Sequence, residues 1–330
     1  MSSKQPNSLI MNTGSAINRD MYYMSCSFVD RTFDEPYSRL FFYQDKNKDK
    51  WFYHDLPDWH VVSTCFPPPT SGATRKIYAL SEEGYIECFS RDAISVEKIQ
   101  DAGLDPSSKM YGYVNKIKHI DGQLYSCGHR GQIYRRNESA WEHFDDGILQ
   151  KNKLIIANTD MSFMESVKLS IDETLDLFDI DGSTGDIYVV GTDGFLANHN
   201  GAQWHKLPRL TAADLHCIYI SSSGIVWVVG SQGTIINGSA RLGFKVLARK
   251  KIDADFYSVT EFQNNIYIGA NNGIYKVIDN TIKKVDVTAK EVSSIESKDG
   301  VMWALSSEKL LRFDGVRWDE FVHIDNQQRL

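Results

Sequence analysis

Residues Val226–Gly233 read VWVVGSQG, and the same eight-residue unit returns along the chain. It is IYALSEEG at Ile77–Gly84, LYSCGHRG at Leu124–Gly131, IYVVGTDG at Ile187–Gly194 and IYIGANNG at Ile266–Gly273. A weaker copy, MWALSSEK, occupies Met302–Lys309. The second position is aromatic throughout, and apolar, β-branched and aromatic residues in alternation describe a strand. The closing glycine permits positive φ, which a chain needs to reverse sharply. A second short strand follows, such as Gln132-Ile133-Tyr134 or Thr234-Ile235-Ile236. A further turn, such as His199-Asn200-Gly201 or Asp314-Gly315, leads to a strand opened by Trp51, Trp141, Trp204, Phe244 or Trp318. One more apolar strand precedes each unit, as in His216–Ile220 and Tyr257–Phe262. Each repeat therefore holds four strands, a to d.

Four antiparallel strands per roughly 40 residues are the composition of a propeller blade. A seventh copy is legible upstream, with strands at Ser8–Asn12, Tyr22–Phe28, Arg39–Tyr43 and Trp51–His54. The expectation is an all-β chain forming one domain over residues 1–330, a single propeller of seven four-stranded blades, with six or eight as alternative counts. Trp204 and Trp318 are expected to pack between neighbouring blades. Only Met161–Leu177 shows a helical period, so a helical solenoid is excluded.

Composition agrees with a folded globular chain: 330 residues, 42% hydrophobic, 12% aromatic, formal net charge -7. No apolar run is long enough for a membrane helix, and Met1–Asp20 lacks the apolar stretch of a signal peptide. The five cysteines (Cys26, Cys65, Cys88, Cys127, Cys217) are odd in number, widely spaced and without a CxxC pair. They read as buried free thiols of a reducing, cytoplasmic compartment rather than as disulfides or zinc ligands.

The unit hydrophobic-aromatic-x-x-G-x-x-G, followed by Asn/Asp-Gly-x-x-Trp, resembles a broad group of bacterial propeller repeat proteins, WD40-like and YCF48-like, with blades of the form VWAVG–GTILHYDG–W. Ile225–Asn237 and Asp314–Trp318 carry the likeness, which extends over about Ile77–Phe321. The resemblance implies the fold and not an activity, because the group contains assembly factors, surface repeats and binding modules. The Gly-His and Trp-Asp dipeptides of eukaryotic WD40 blades are missing. So is the S-x-D-x-G-x-x-W box of sialidase-like propellers.

Candidate chemistry yields to plainer readings. Asp179–Asp186 (DIDGSTGD) looks like a calcium loop, but position six is Thr184 and position twelve Val190, so it is expected to be the a–b hairpin turn. Cys127 and His129 have no third orienting group. The nine histidines show no paired metal spacing. Gly191–Gly194 and Gly230–Gly233 open strands rather than helices and are not phosphate loops. Arg249-Lys250-Lys251 is followed at once by Asp253 and Asp255, and the sequence pI of about 5.7 shows no nucleic-acid footprint. Residues at the starts of the a strands (His60, Lys116, Asp179, His216, Ser258, Ser293) form no coherent catalytic set. No cofactor and no metal are expected.

The segment Asp145–Asp176 exceeds the usual connection length several-fold. It carries seven acids (Asp145, Asp146, Asp160, Glu165, Asp172, Glu173, Asp176) against Lys151, Lys153 and Lys168, with an apolar stripe at Met161, Phe163, Met164, Val167 and Leu169. It is expected to be an acidic, partly helical insertion between blades three and four. The b–c turns and d–a connections of such a ring emerge on one face. That face should gather Glu82, Glu83, His129, Arg130, Asp193, Gln232, Asn271 and Asn272 beside Phe163, Asp172 and Glu173, as a partner-binding surface. The resulting expectation is a non-catalytic cytoplasmic propeller of immunity or antitoxin type, which neutralises a bacterial effector, such as a basic toxin domain, by binding it; nucleic acid and membrane are not expected partners. A propeller hydrolase or lyase with its site at the central channel, or an assembly scaffold, are the alternatives.

Overall fold

A computed structural model describes residues 8–30, 35–69, 74–138, 140–150, 174–247 and 252–326. They form seven four-stranded antiparallel sheets, each with its strands in sequence order. The seven-bladed propeller read from the repeat is thus the fold, with no regular structure other than strands and single 3₁₀ turns among the described residues. The inner strands are Leu9–Asn18, Val61–Cys65, Val114–Ile120, Leu177–Ser183, Leu215–Ile220, Phe256–Phe262 and Val292–Lys298. Buried side chains pack mainly between adjacent sheets, for example Ile120, Tyr125 and Cys127 of blade three against Ile180, Ile187 and Val189 of blade four. Trp204 and Trp318 belong to such inter-blade clusters, both partly buried. Trp204 Nε1 donates to Phe144 O of the preceding blade at 2.5 Å.

The two glycines of the repeated unit do different jobs. The first has an extended backbone, with φ near -174, -167 and -164 at Gly128, Gly191 and Gly230. Its constraint is space: a Cβ at these positions would lie 2.3 Å from Tyr113 O, 2.1 Å from Asp176 O and 2.0 Å from Asp214 O. The second glycine and the residue before it are left-handed, as at Asp193 (φ 55) with Gly194 (φ 71) and Gln232 (φ 56) with Gly233 (φ 68). The close approach comes from the inner strand. In every blade its pairing skips one residue near its start: Asn12, Val62, Asn115, Phe178, His216, Tyr257 and Ser293. A bulge of this kind bends the strand and re-aims the side chains that follow.

Blade one is built wholly from the N-terminal segment and blade seven wholly from the C-terminal one, so no exchanged strand closes the ring. Closure falls to individual groups. Asn326, fully buried, accepts from Leu9 N (2.9 Å) and donates to Leu9 O and Glu308 O (3.0 Å each). Met11 N donates to Ser307 O, Trp303 Nε1 to Asn18 O, and Ala16 N to Glu296 Oε2.

Three expectations need correcting. The first inner strand runs to Asn18 rather than stopping at Asn12, because Met11, Ala16 and Ile17 all find buried partners along it. Asp179 and Asp181 are strand residues, and only Thr184 and Gly185 form the a–b turn. A helix over Met161–Leu177 cannot reach its stated end, because Leu177 opens an inner strand. Residues 151–173, with Phe163, Asp172 and Glu173, lie outside the described residues, between the strands Ala140–His143 and Leu177–Ser183.

Candidate protein-binding face and axial channel

The b–c turns and the following d–a connections are joined by hydrogen bonds and share one face. Asp193 N donates to Asp214 Oδ1 (2.8 Å), Gln232 N to Asp255 Oδ1 (2.9 Å), and Leu104 N to Glu83 Oε2 (2.9 Å). The repeat explains the pattern. The residue before the inner strand is acidic in four consecutive blades (Asp176, Asp214, Asp255, Glu291) and stands beside the next b–c turn. These four carboxylates recur at the same position of successive blades.

Of the residues expected on this face, Asp193 and Gln232 are exposed, and Glu82, Glu83, His129, Arg130, Asn271 and Asn272 are half-buried. Several have structural partners. Glu82 Oε2 lies 3.0 Å from His60 Nδ1, and this hydrogen bond raises the His60 pKa against the effect of burial. Asn271 Oδ1 accepts from Asp255 N, and Asn272 Nδ2 donates to Asp253 O. Arg130 holds the left-handed position of its turn (φ 56) and accepts Gln150 N on its carbonyl. Asp193 remains outward, 69% exposed in its side chain, in an ion pair with Arg209 of 3.1 Å. Asp145, counted from the sequence among the surface acids, is instead buried. Its Oδ2 accepts Ile133 N and lies 2.8 Å from His143 Nδ1, so it anchors the start of the long connection.

Two features of the face are not evident from the repeat. A row of half-buried aromatic rings links three successive blades at the bulge positions: Phe178 and His216 are 5.4 Å apart by ring centroid, His216 and Tyr257 5.8 Å. Burial lowers the His216 pKa, so the ring is neutral at pH 7; burial, Glu291 and Asp255 raise that of Tyr257. The second feature is the connection 99–113, which holds Leu104 (44% exposed) beside Glu83 and leaves Met110 48% exposed. Met110 adopts φ 53, a costly backbone for an exposed apolar residue. Hydrophobic–polar periodicity cannot signal either feature, because bulges and irregular connections have no period.

The inner strands carry charge pairs that the sequence reading did not bring together. Beyond the bulge, alternate residues of neighbouring strands pair across blades three and four: Lys116 with Asp179 (3.7 Å) and Lys118 with Asp181 (3.1 Å). Asp179, 1% exposed, accepts Ile180 N on one oxygen and Ile218 N of blade five on the other. Glu296 receives Ala16 N at 2.8 Å. Burial raises the Glu296 and Asp181 pKa values, and the lysines oppose the shift. Burial is the largest single influence on the Lys116 ammonium and works against it, but Asp179, Cys217 and Glu296 together keep that group above its usual value. The period-two patterns Lys116-x-Lys118 and Asp179-x-Asp181 were visible in the sequence; only the ring brings them together. Cys127 and His129 form no catalytic pair: burial and the Asp179 charge push the Cys127 thiol far up, leaving it protonated. All five cysteines are buried free thiols. Among the described residues no group of three His, Cys, Asp or Glu side chains is placed to hold a metal, and no helix is long and apolar enough to cross a membrane.

A seven-bladed β-propeller with an acidic turn face and a polar channel is the class that this architecture defines. No family model matches the chain. Over 271 residues, 80% of each chain, it is 25% identical to the immune protein Tsi7 of Pseudomonas aeruginosa. Similar solved structures include YCF48 bound to a D1 peptide (TM-score 0.63, 15% identity, 95% of this chain and 96% of that one). Virginiamycin B lyase of Staphylococcus aureus superposes with TM-score 0.63 at 10% identity, over 93% and 94% of the two chains. The WD40 propeller of Doa1 gives TM-score 0.61 at 10% identity, over 97% and 95%. At these identities the three structures speak for the fold alone.

Proposed function

We propose that this protein is a non-catalytic, immunity-type propeller that binds a protein effector through the face formed by its b–c turns and d–a connections. The observation that carries the reading is the composition of that face. It combines outward acids (Asp193, Asp253, Glu291) with apolar and aromatic groups held half-exposed or exposed (Leu104, Met110, Phe178, Tyr257). Desolvated aromatic and apolar anchors inside a charged rim are the usual anatomy of a protein interface. The likeness to an immune protein over most of both chains supports the same role. A basic effector suits the charge, since complementary fields speed encounter and reject wrong partners. A catalytic channel has less support: the Asp179 oxygens are taken by backbone amides and Glu296 by Ala16 N.

The test is capture of partners from the native host, followed by association kinetics with Asp193→Lys/Asp253→Lys. The double reversal is expected to slow association about tenfold or more at low salt, with the defect shrinking as screening rises. Leu104→Ser/Met110→Ser is expected to speed dissociation instead. Unchanged kinetics in both variants would place the interface elsewhere on the disc.

A further inference from the structure

The axial channel leaves some of its polar groups without hydrogen-bond partners. Its cavity, about 270 Å³, is lined by Lys116, Lys118 and Lys298 and by the carboxylates of Asp179 and Glu296, and Lys118 is paired with Asp181 at 3.1 Å. Both Asp179 oxygens already accept backbone N–H groups, and Glu296 accepts another. Lys116 is left with an ion pair 3.7 Å long, beyond hydrogen-bond reach. On the blade-six and blade-seven side, Ser258 and Ser293 line the same cavity, and neither Oγ has a hydrogen-bond partner among the described residues. Ser258 is only 6% exposed. Lys116 and Ser258 each directly follow the bulge residue of their strands, so they occupy one level of the ring. Buried polar groups without partners are uncommon and call for an acceptor.

We propose that the upper channel is a binding site for a small oxyanion, a phosphate or carboxylate, held by the Lys116 ammonium and the Ser258 and Ser293 hydroxyls. An anion offers several acceptor lone pairs at once, and charge-assisted bonds to it are the strong kind. The site is separate from the partner-binding reading and stands if that reading fails.

The test uses the full chain, titrated calorimetrically with inorganic phosphate and with succinate against potassium chloride of equal ionic strength. Saturable binding of at least one oxyanion is expected, and which one binds identifies the source. Lys116→Gln is expected to weaken it about tenfold or more, Ser258→Ala severalfold, and Lys290→Gln, on the exposed face, not at all. Ser258→Ala removes an unpartnered oxygen and keeps the test decisive if Lys116→Gln does not fold. The proposal is overturned if neither anion binds above chloride, or if Ser258→Ala and a folded Lys116→Gln both bind like the unaltered protein.

Discussion

Asp179 illustrates how much one residue can carry in a ring whose neighbouring inner strands share no backbone ladder. Its carboxylate caps its own strand at Ile180 N, reaches blade five at Ile218 N and faces Lys116 of blade three. Ser63 does the same work two gaps earlier, accepting Ile117 N at 3.2 Å. Asp179→Ala should therefore strand two buried amides and an ammonium, with an expected loss of about 3–5 kcal/mol in denaturant unfolding. A loss near zero would mean that water replaces the carboxylate without cost. His143 gives a pH signature. Hydrogen bonding to Asp145, reinforced by Asp101 at 3.0 Å, raises its pKa. A raised histidine pKa means stability that is complete below the unfolded value, about 6.5, and lost as pH climbs through the folded value. The melting temperature should fall from pH 6 to pH 8 for this reason, and His143→Gln should flatten that part of the curve. An identical slope in the variant would assign the effect to another group. Neither role is legible locally: Asp179 looked like a turn residue and Asp145 like surface charge, because nothing in a linear pattern says which strand will lie beside them.

At the scale of the blade, the eight-residue unit is a compact instruction for strand, tight turn and strand. The aromatic at its second position is buried in every blade that carries it, from Tyr78 to Trp303. The reason for its fifth-position glycine lies in the neighbouring strand, whose bulge brings Asp214 O to 2.0 Å from where a Gly230 Cβ would be. Gly230→Ala is expected to cost about 1–3 kcal/mol through forced displacement of this backbone, and Gly224→Ala should act differently. Nothing lies within 4 Å of its Cβ, and its cost would come from φ +75 alone. Trp204→Ala should cost about 3 kcal/mol, since the ring packs on Phe144 of the preceding blade and donates to its carbonyl. Equal melting temperatures for Trp204→Ala and the parent would contradict its place in the inter-blade core.

For the whole molecule, closure is the step on which the ring depends, and the last described turn adds hydrogen bonds to the apolar cluster shared by blades one and seven. Ile324–Asn326 brings one amide side chain against Leu9 and Glu308. Asn326→Ala leaves Leu9 N, Leu9 O and Glu308 O without this partner inside the protein. It is expected to lower the melting temperature, and blades one and seven should show the largest rise in amide exchange. A uniform rise around the ring would instead indicate cooperative opening with no weak seam. Repeat architectures make such a seam plausible because each blade contacts only its neighbours.

The linear sequence determined the strands, their number per repeat and the propeller fold, and it favoured seven blades over six or eight. Those properties follow from alternation, turn residues and a recurring unit, all of which act over a few neighbours. It also indicated that turns and connections of one kind share a face, since antiparallel order alone dictates it. The tertiary structure decided which charges meet. Lys116 and Asp179 are 63 positions apart in the chain, and Ala16 and Glu296 are 280. Their pairing depends on how far round the ring each strand lies and on a bulge that shifts the side chains after it. The same holds for the aromatic row at Phe178, His216 and Tyr257, one residue from each of three blades. Local physics sets a strand's pleat and pattern, but only closure of the ring sets what its inner edge will face.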